Sequence, residues 1–187
     1  MIEPADCRMA ADLHALAAAT FPLACPPVLE PEPINRFISQ KLSVKAFEGY
    51  LAESQAQILV GRETTNGQLV GYTLVLLKEP DNPQVAAMIG PRPAAELSKC
   101  YTLANYHGSG LAKALGQAAI AGAAQAGMVS MWLGVHQENR RAQRFYGKLG
   151  FRRLGVRRFD VGDRQMDDYV MGASLVDLNT TETERDR

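Results

Sequence analysis

The chain has 187 residues, 47% hydrophobic and 21% charged, the proportions of one globular domain able to bury a substantial core. Its 20 Lys and Arg residues match 20 Asp and Glu, so no bulk basic field favours nucleic acid, and no run approaches the roughly 18 apolar residues of a membrane span. Three cysteines without metal-type spacing argue against a zinc site and against a disulfide framework, which points to reduced thiols in a cytoplasmic protein with no bound metal.

An Ala-rich run at 13–19 followed by Leu23-Ala24-Cys25 has the outline of an export signal. Glu3 and Asp6 precede it with a single Arg, and His14 interrupts it, so a signal peptide is rejected. Residues 5–19 read instead as a helix with Met9, Leu13 and Leu16 or Ala17 inward, ended by Phe21-Pro22. A second helix is expected over 32–42, with Ile34, Phe37, Ile38 and Leu42 on one side. Ser43 is placed to cap a third, to about residue 53, with Phe47 and Leu51 inward. These helices read as an amphipathic scaffold, or as a surface for a partner or homodimer.

Residues 58–63 and 68–78 flank Asn66-Gly67, the signal of a hairpin closed by a type I′ turn. The Pro-studded stretch 79–93 is expected to be a loop carrying a short strand extension. A strand over 97–103 then feeds His107-Gly108-Ser109-Gly110-Leu111-Ala112, which opens a helix from 111 to about 126, stopped by Gly127. An apolar strand at 129–135 completes a βαβ-like unit. A helix over 139–149 follows, with Ala142, Phe145, Tyr146 and Leu149 at i, i+3, i+4 and i+7, closed by Gly150. The strands 151–161 and 168–175 read as an antiparallel pair around Gly162-Asp163. Residues 1–175 make one domain and 176–187 a polar tail.

The glycine loop carries the chemistry. Glycines let backbone approach a phosphate closely, and the first amides of the following helix lack internal partners at the positive end of its dipole. No Gly-Lys-Ser/Thr completes a nucleotide-triphosphate loop, and two glycines deep in the chain make a poor dinucleotide fingerprint. A third pattern fits, Gln/Arg-x-x-Gly-x-Gly/Ala, with His107 in the first place, Gly110 in the fourth and Ala112 in the sixth. Trp132-Leu133-Gly134-Val135, Asn139, Ala142, Phe145-Tyr146 and Leu149-Gly150-Phe151 follow at matching spacing.

Together these motifs resemble the GCN5-related N-acetyltransferase (GNAT) superfamily, over about residues 58–175. The closing Phe159-Asp160-Val161-Gly162-Asp163, with Asp168 and Met171, is more narrowly similar to bacterial polyamine N-acetyltransferases of the PaiA type. The resemblance implies an α/β (α+β) fold, a mixed and mostly antiparallel sheet flanked by helices, with a V-shaped splay between its two central strands. It implies acetyl-CoA as cosubstrate and direct attack by a primary amine, a polyamine being the leading acceptor. A protein N-terminus, an amino acid or an antibiotic amine stays open, and so does a non-catalytic acyl-CoA sensor.

By the same resemblance, backbone groups of Tyr101, Thr102 and Leu103 bind the pantetheine arm. The amides of Gly108, Ser109, Gly110, Leu111 and Ala112 hold the pyrophosphate. His107 departs from the family's basic residue, its charge being fractional near neutrality. Tyr146 is the general acid for the departing thiolate, packed in the core, or both. Asn139 bonds the cofactor arm or caps its helix. Neutralising an alkyl ammonium at pH 7 costs roughly 4–5 kcal/mol, and Glu96 is the candidate base, directly or through water, or else a solvated edge carboxylate. Glu30, Glu32 and Asp163 are carboxylates able to attract a polycation. Trp132 reads as core, His136 as a strand-end residue, and Cys100 as an unactivated thiol. Arg140 and Arg141 either meet phosphates or lie in water.

Overall fold

A computed structural model describes residues 1–26, 28–161 and 164–176. Asp163 and the 176–187 tail beyond Val176 therefore lie outside the described residues, as does the turn at Gly162-Asp163. The chain opens with β1 (Ile2–Pro4), which pairs antiparallel along β2 (Ala56–Arg62) through Ile2↔Gly61 and Pro4↔Leu59. Three residues are too few to show alternation, so sequence periodicity does not reveal β1.

Between them run α1 (Ala10–Thr20), α2 (Pro31–Lys41) and α3 (Val44–Ala52). Leu13, Leu16 and Ala17 of α1 are buried, and Ser43 Oγ accepts from Ala46 N at 3.2 Å, as their patterns predict. β2 and β3 (Leu69–Leu76) form the expected hairpin, but its turn is not type I′. A longer loop closes through Glu63 N donating to Gln68 O, and Gly67 alone has positive φ. Asn66 instead accepts from Gln68 N through Oδ1 at 2.9 Å, a local bond that holds it out of the left-handed region.

The stretch read as loop with strand extension holds a helix, α4 (Pro83–Met88). Asn82 caps it through Oδ1 to Gln84 N and Val85 N, and Pro83 sits at a first-turn position that needs no N–H. The remaining elements are β4 (Ala94–Thr102), α5 (Leu111–Gln125), β5 (Ser130–His136), α6 (Arg140–Lys148), β6 (Arg152–Val161) and β7 (Arg164–Ser174).

The seven strands form one sheet ordered β1-β2-β3-β4-β5-β7-β6, antiparallel except for β4 against β5. That parallel pairing is confined to Ala94↔Ser130, Ala95↔Met131 and Glu96↔Trp132. Beyond it the strands continue to Thr102 and His136 without pairing each other, so they diverge. A bulge contributes: Val75 pairs with Leu97 and Leu74 with Lys99, leaving Ser98 as an extra residue that bends β4. This is the V-shaped splay.

Each sheet face has its own core. On one, α5 and α6 cover Leu97, Met131, Leu133, Val135 and Phe151. Gly71 lets α5 lie close, since a Cβ there would stand 2.9 Å from Leu115 Cδ1 and 3.0 Å from Tyr101 O. On the other face, α1–α3 pack over Val60, Tyr72 and Leu74, while α4 packs beside Trp132 and Val170. The splay opens between these two groups of helices.

Candidate active site

Gly108 (φ 85°) and Gly110 (φ 88°) are both left-handed, a conformation that favours glycine, and Gly110 is the N-cap of α5. Ser109 is used inside the loop: its N and Oγ donate to Tyr106 O at 3.2 and 2.7 Å, and its Oγ accepts from Leu111 N at 3.3 Å. The amides of Gly108, Gly110, Ala112 and Lys113 make no hydrogen bond to any described residue. They form a cluster of donors at the positive end of a 15-residue helix. His107 Nδ1 lies 2.9 Å from Arg141 Nη1; a guanidinium only donates, so Nδ1 accepts. Arg141, left open in the sequence, thus brings a full positive charge to the loop.

Tyr101 and Thr102 pair with Tyr72 and Gly71 of β3, and Leu103 N donates to Val70 O at 2.9 Å. The opposite backbone edge of this segment faces the splay, with no strand against it among the described residues. The Tyr101 side chain turns the other way, its ring 5.9 Å from Tyr72 and 6.4 Å from Phe21.

Asn139 caps α6, with Oδ1 accepting from Ala142 N at 3.0 Å, while its Nδ2 donates to Ala24 O at 3.5 Å. Tyr146 is half-buried on the cleft side of α6, its ring 5.1 Å from Phe145 and 6.0 Å from Phe151. Its hydroxyl bonds to no described residue. Burial pushes its pKa well above the ordinary phenol value, with Cys100 and Tyr101 adding to the shift, so it is held as a neutral donor. Burial likewise raises the Cys100 thiol to about 12, which makes it an unreactive group.

The opposite face of the splay carries charges that the sequence reading did not assemble. Register puts Glu96, Lys99 and Tyr101 of β4 on the same side as Trp132, Gly134 and His136 of β5, Asp168 of β7 and Arg157 of β6. Arg157 Nη2 stands 3.6 Å from Asp168 Oδ2, both largely buried. Its guanidinium lies 5.2 Å from the Trp132 ring centroid and across Gly134, where any Cβ would collide with it. Burial raises the Asp168 pKa, and Arg157 and His136 oppose that shift. Trp132 is core, as expected, at 3% exposure. Glu30 and Glu32 are exposed and outside the cleft wall, and Glu32 pairs with Arg36.

A cavity of about 500 Å³ joins these parts, running from His107 and Gly108 past Tyr146 to Glu96, Lys99 and Arg157. Lys99, Arg157 and Gly134 were missed because a pairing register unites them. The one available signal was a Glu and a Lys three apart in an apolar strand. Such a cleft, with amide donors at one end and a neutral phenol and a carboxylate at the other, suits a phosphate-bearing acyl donor and a basic acceptor.

Residues 15–151 match the acetyltransferase (GNAT) family. The chain belongs to that family. An uncharacterised N-acetyltransferase of Mycobacterium tuberculosis (strain ATCC 25618 / H37Rv) is 43% identical over 165 residues, 88% of this chain and 97% of that protein. Among solved structures, the PaiA N-acetyltransferase of Thermoplasma acidophilum in complex with coenzyme A is similar at TM-score 0.72 and 20% identity, over 93% of this chain and 98% of that one. The ribosomal-protein-S18-alanine N-acetyltransferase of Escherichia coli gives TM-score 0.64 at 17% identity, over 94% of this chain and 93% of that one. These two likenesses are of fold. This acetyltransferase is thus an enzyme of GNAT type that uses acetyl-CoA. Among its described residues no helix is long and apolar enough to cross a membrane, and no cluster of His, Cys, Asp and Glu is placed to hold a metal.

Proposed function

We propose that this enzyme transfers an acetyl group from acetyl-CoA to a primary amine by direct attack, with the two substrates on opposite faces of the splay. The observation that carries this reading is the continuity of one cleft between the unengaged amides at the head of α5 and the Tyr146 and Glu96 side chains. The amides of Gly108, Gly110, Ala112 and Lys113 receive the pyrophosphate, with Arg141 countering its charge beside His107. Ser109 and Leu111 shape the loop. The unpaired edge at Tyr101, Thr102 and Leu103 takes the pantetheine arm as an added strand, and Asn139 caps the start of α6, the helix that bears Tyr146.

On the other face Glu96, or a water it holds, accepts a proton from the ammonium. The freed nitrogen forms the new bond to the acetyl carbon, the carbon–sulfur bond breaks, and Tyr146 gives its proton to the sulfur. The proton lost by the acylated nitrogen restores Tyr146. A polyamine, the acceptor suggested by the closing motif, would meet Glu96 but also the Lys99 ammonium beside the Arg157–Asp168 pair. Purified protein with acetyl-CoA should release CoA when an acceptor from a broad amine panel is supplied. Absence of release across the panel would remove this reading.

A further inference from the structure

Two opposite charges stand on one face of β4, each without an ion-pair partner among the described residues. Glu96 makes no hydrogen bond or ion pair to any described residue. Lys99 Nζ donates to Ser98 O at 3.1 Å and Ser98 Oγ at 3.0 Å, two of its three donors, and to no carboxylate. The bulge at Ser98 puts both side chains on one face: Glu96 is level with Leu76, Lys99 with Leu74. Three strand residues span at most about 10 Å between their Cα atoms, so one small molecule can touch both.

Besides Lys41, which lines the outer part of the cleft from α2, the charged side chains of the neighbouring strands in the cleft are matched. Asp168 is paired with Arg157, and that pair adds no net charge to the wall. A polycation would neutralise Glu96 and leave a half-buried ammonium facing a second cation, an arrangement that costs more as water is excluded. An acceptor bearing both an amine and a carboxylate satisfies both side chains. Burial lowers the Lys99 pKa, while Glu96 opposes that shift, so this cation gains from an anionic partner.

Resting on the acetyltransferase reading above, we infer that the acceptor is a zwitterionic amine of the amino-acid class, its ammonium on Glu96 and its carboxylate on Lys99. Lys99 is thereby the residue that sets acceptor specificity, and Glu96 serves to hold as well as to deprotonate the nucleophile.

The test compares three matched probes: common amino acids, their carboxamides, and the amines left when the carboxylate is removed. CoA release reads turnover, and calorimetry with CoA present reads binding without turnover. For the best amino acid, kcat/KM should exceed that of its carboxamide by roughly 10- to 100-fold, the worth of a charged hydrogen bond. Lys99→Met, with unaltered Tm, should bring that ratio near one through KM, and Lys99→Glu should turn the preference towards the carboxylate-free amine. Carboxylate-free amines working equally well or better, or Lys99→Met weakening all three probes alike, overturns the inference while acetyl transfer stands. Lys99-dependent binding of amino acids without CoA release upholds the inference and removes the transfer reading. Neither binding nor release with any probe overturns both.

Discussion

A phenol that protonates a departing thiolate works uphill in water by roughly 2 kcal/mol, given ordinary pKa values near 10 and 8.5. On the mechanism proposed above, burial raises the Tyr146 pKa and so keeps its proton in place until the sulfur departs. Tyr146→Phe should lower kcat by about 100-fold or more while the acetyl-CoA Kd stays within about twofold, measured by CoA release and calorimetry. The sign of the shift also fixes the pH profile. A raised phenol pKa extends the protonated range upwards, so kcat/KM should climb from about pH 6 to 9 as the amine loses its proton, with no descending limb below about pH 10. A limb near pH 8 would remove Tyr146 as the acid.

At the scale of elements, the proposed anion site depends on how α5 is aimed. Gly110 supplies the left-handed cap, with open space around its Cα, so a side chain there strains the backbone without a clash. Gly110→Asp adds that strain, about 1–2 kcal/mol, and sets a negative charge at the proposed pyrophosphate site. Acetyl-CoA affinity should fall at least tenfold by calorimetry, and unchanged binding would sink the loop assignment. Gly71→Val drives a branched side chain against Leu115 and the Tyr101 carbonyl. Overpacking of that kind costs about 1–3 kcal/mol, so Tm should drop by several degrees and acetyl-CoA should bind more weakly as α5 lifts. Arg141 ties α6 to the loop through His107. Arg141→Ala should weaken acetyl-CoA while sparing the amine KM, which a merely solvated arginine would leave alone.

Across the whole molecule, the splay divides the labour between two cores. The face under α5 and α6 bears the donor loop and Tyr146, and the face under α1–α4 bears Glu96, Lys99 and Arg157. The N-terminal helices supply the outer wall, where Phe21 and Phe37 stack at 4.5 Å and 10°. Phe37→Ala should therefore raise the acceptor KM several-fold and leave the acetyl-CoA Kd unchanged; equal effects on both substrates would contradict the division. What the sequence determined by itself was local. Apolar periodicity set α1, α3, α5 and α6, and Gly108 and Gly110 set the loop, because such signals depend on neighbours a few residues away; the resemblance carried by the motifs from Gly110 to Tyr146 marked the acetyltransferase. The short strand β1 and the capped helix α4 escaped, being too brief to show a period. Only the tertiary structure decided that Glu96 and Lys99 share a face, that Arg157 lies across Gly134 beside Asp168, and that Arg141 reaches His107. Those meetings follow from strand register, a bulge at Ser98 and the packing of α6, and residues far apart in sequence carry no local trace of them.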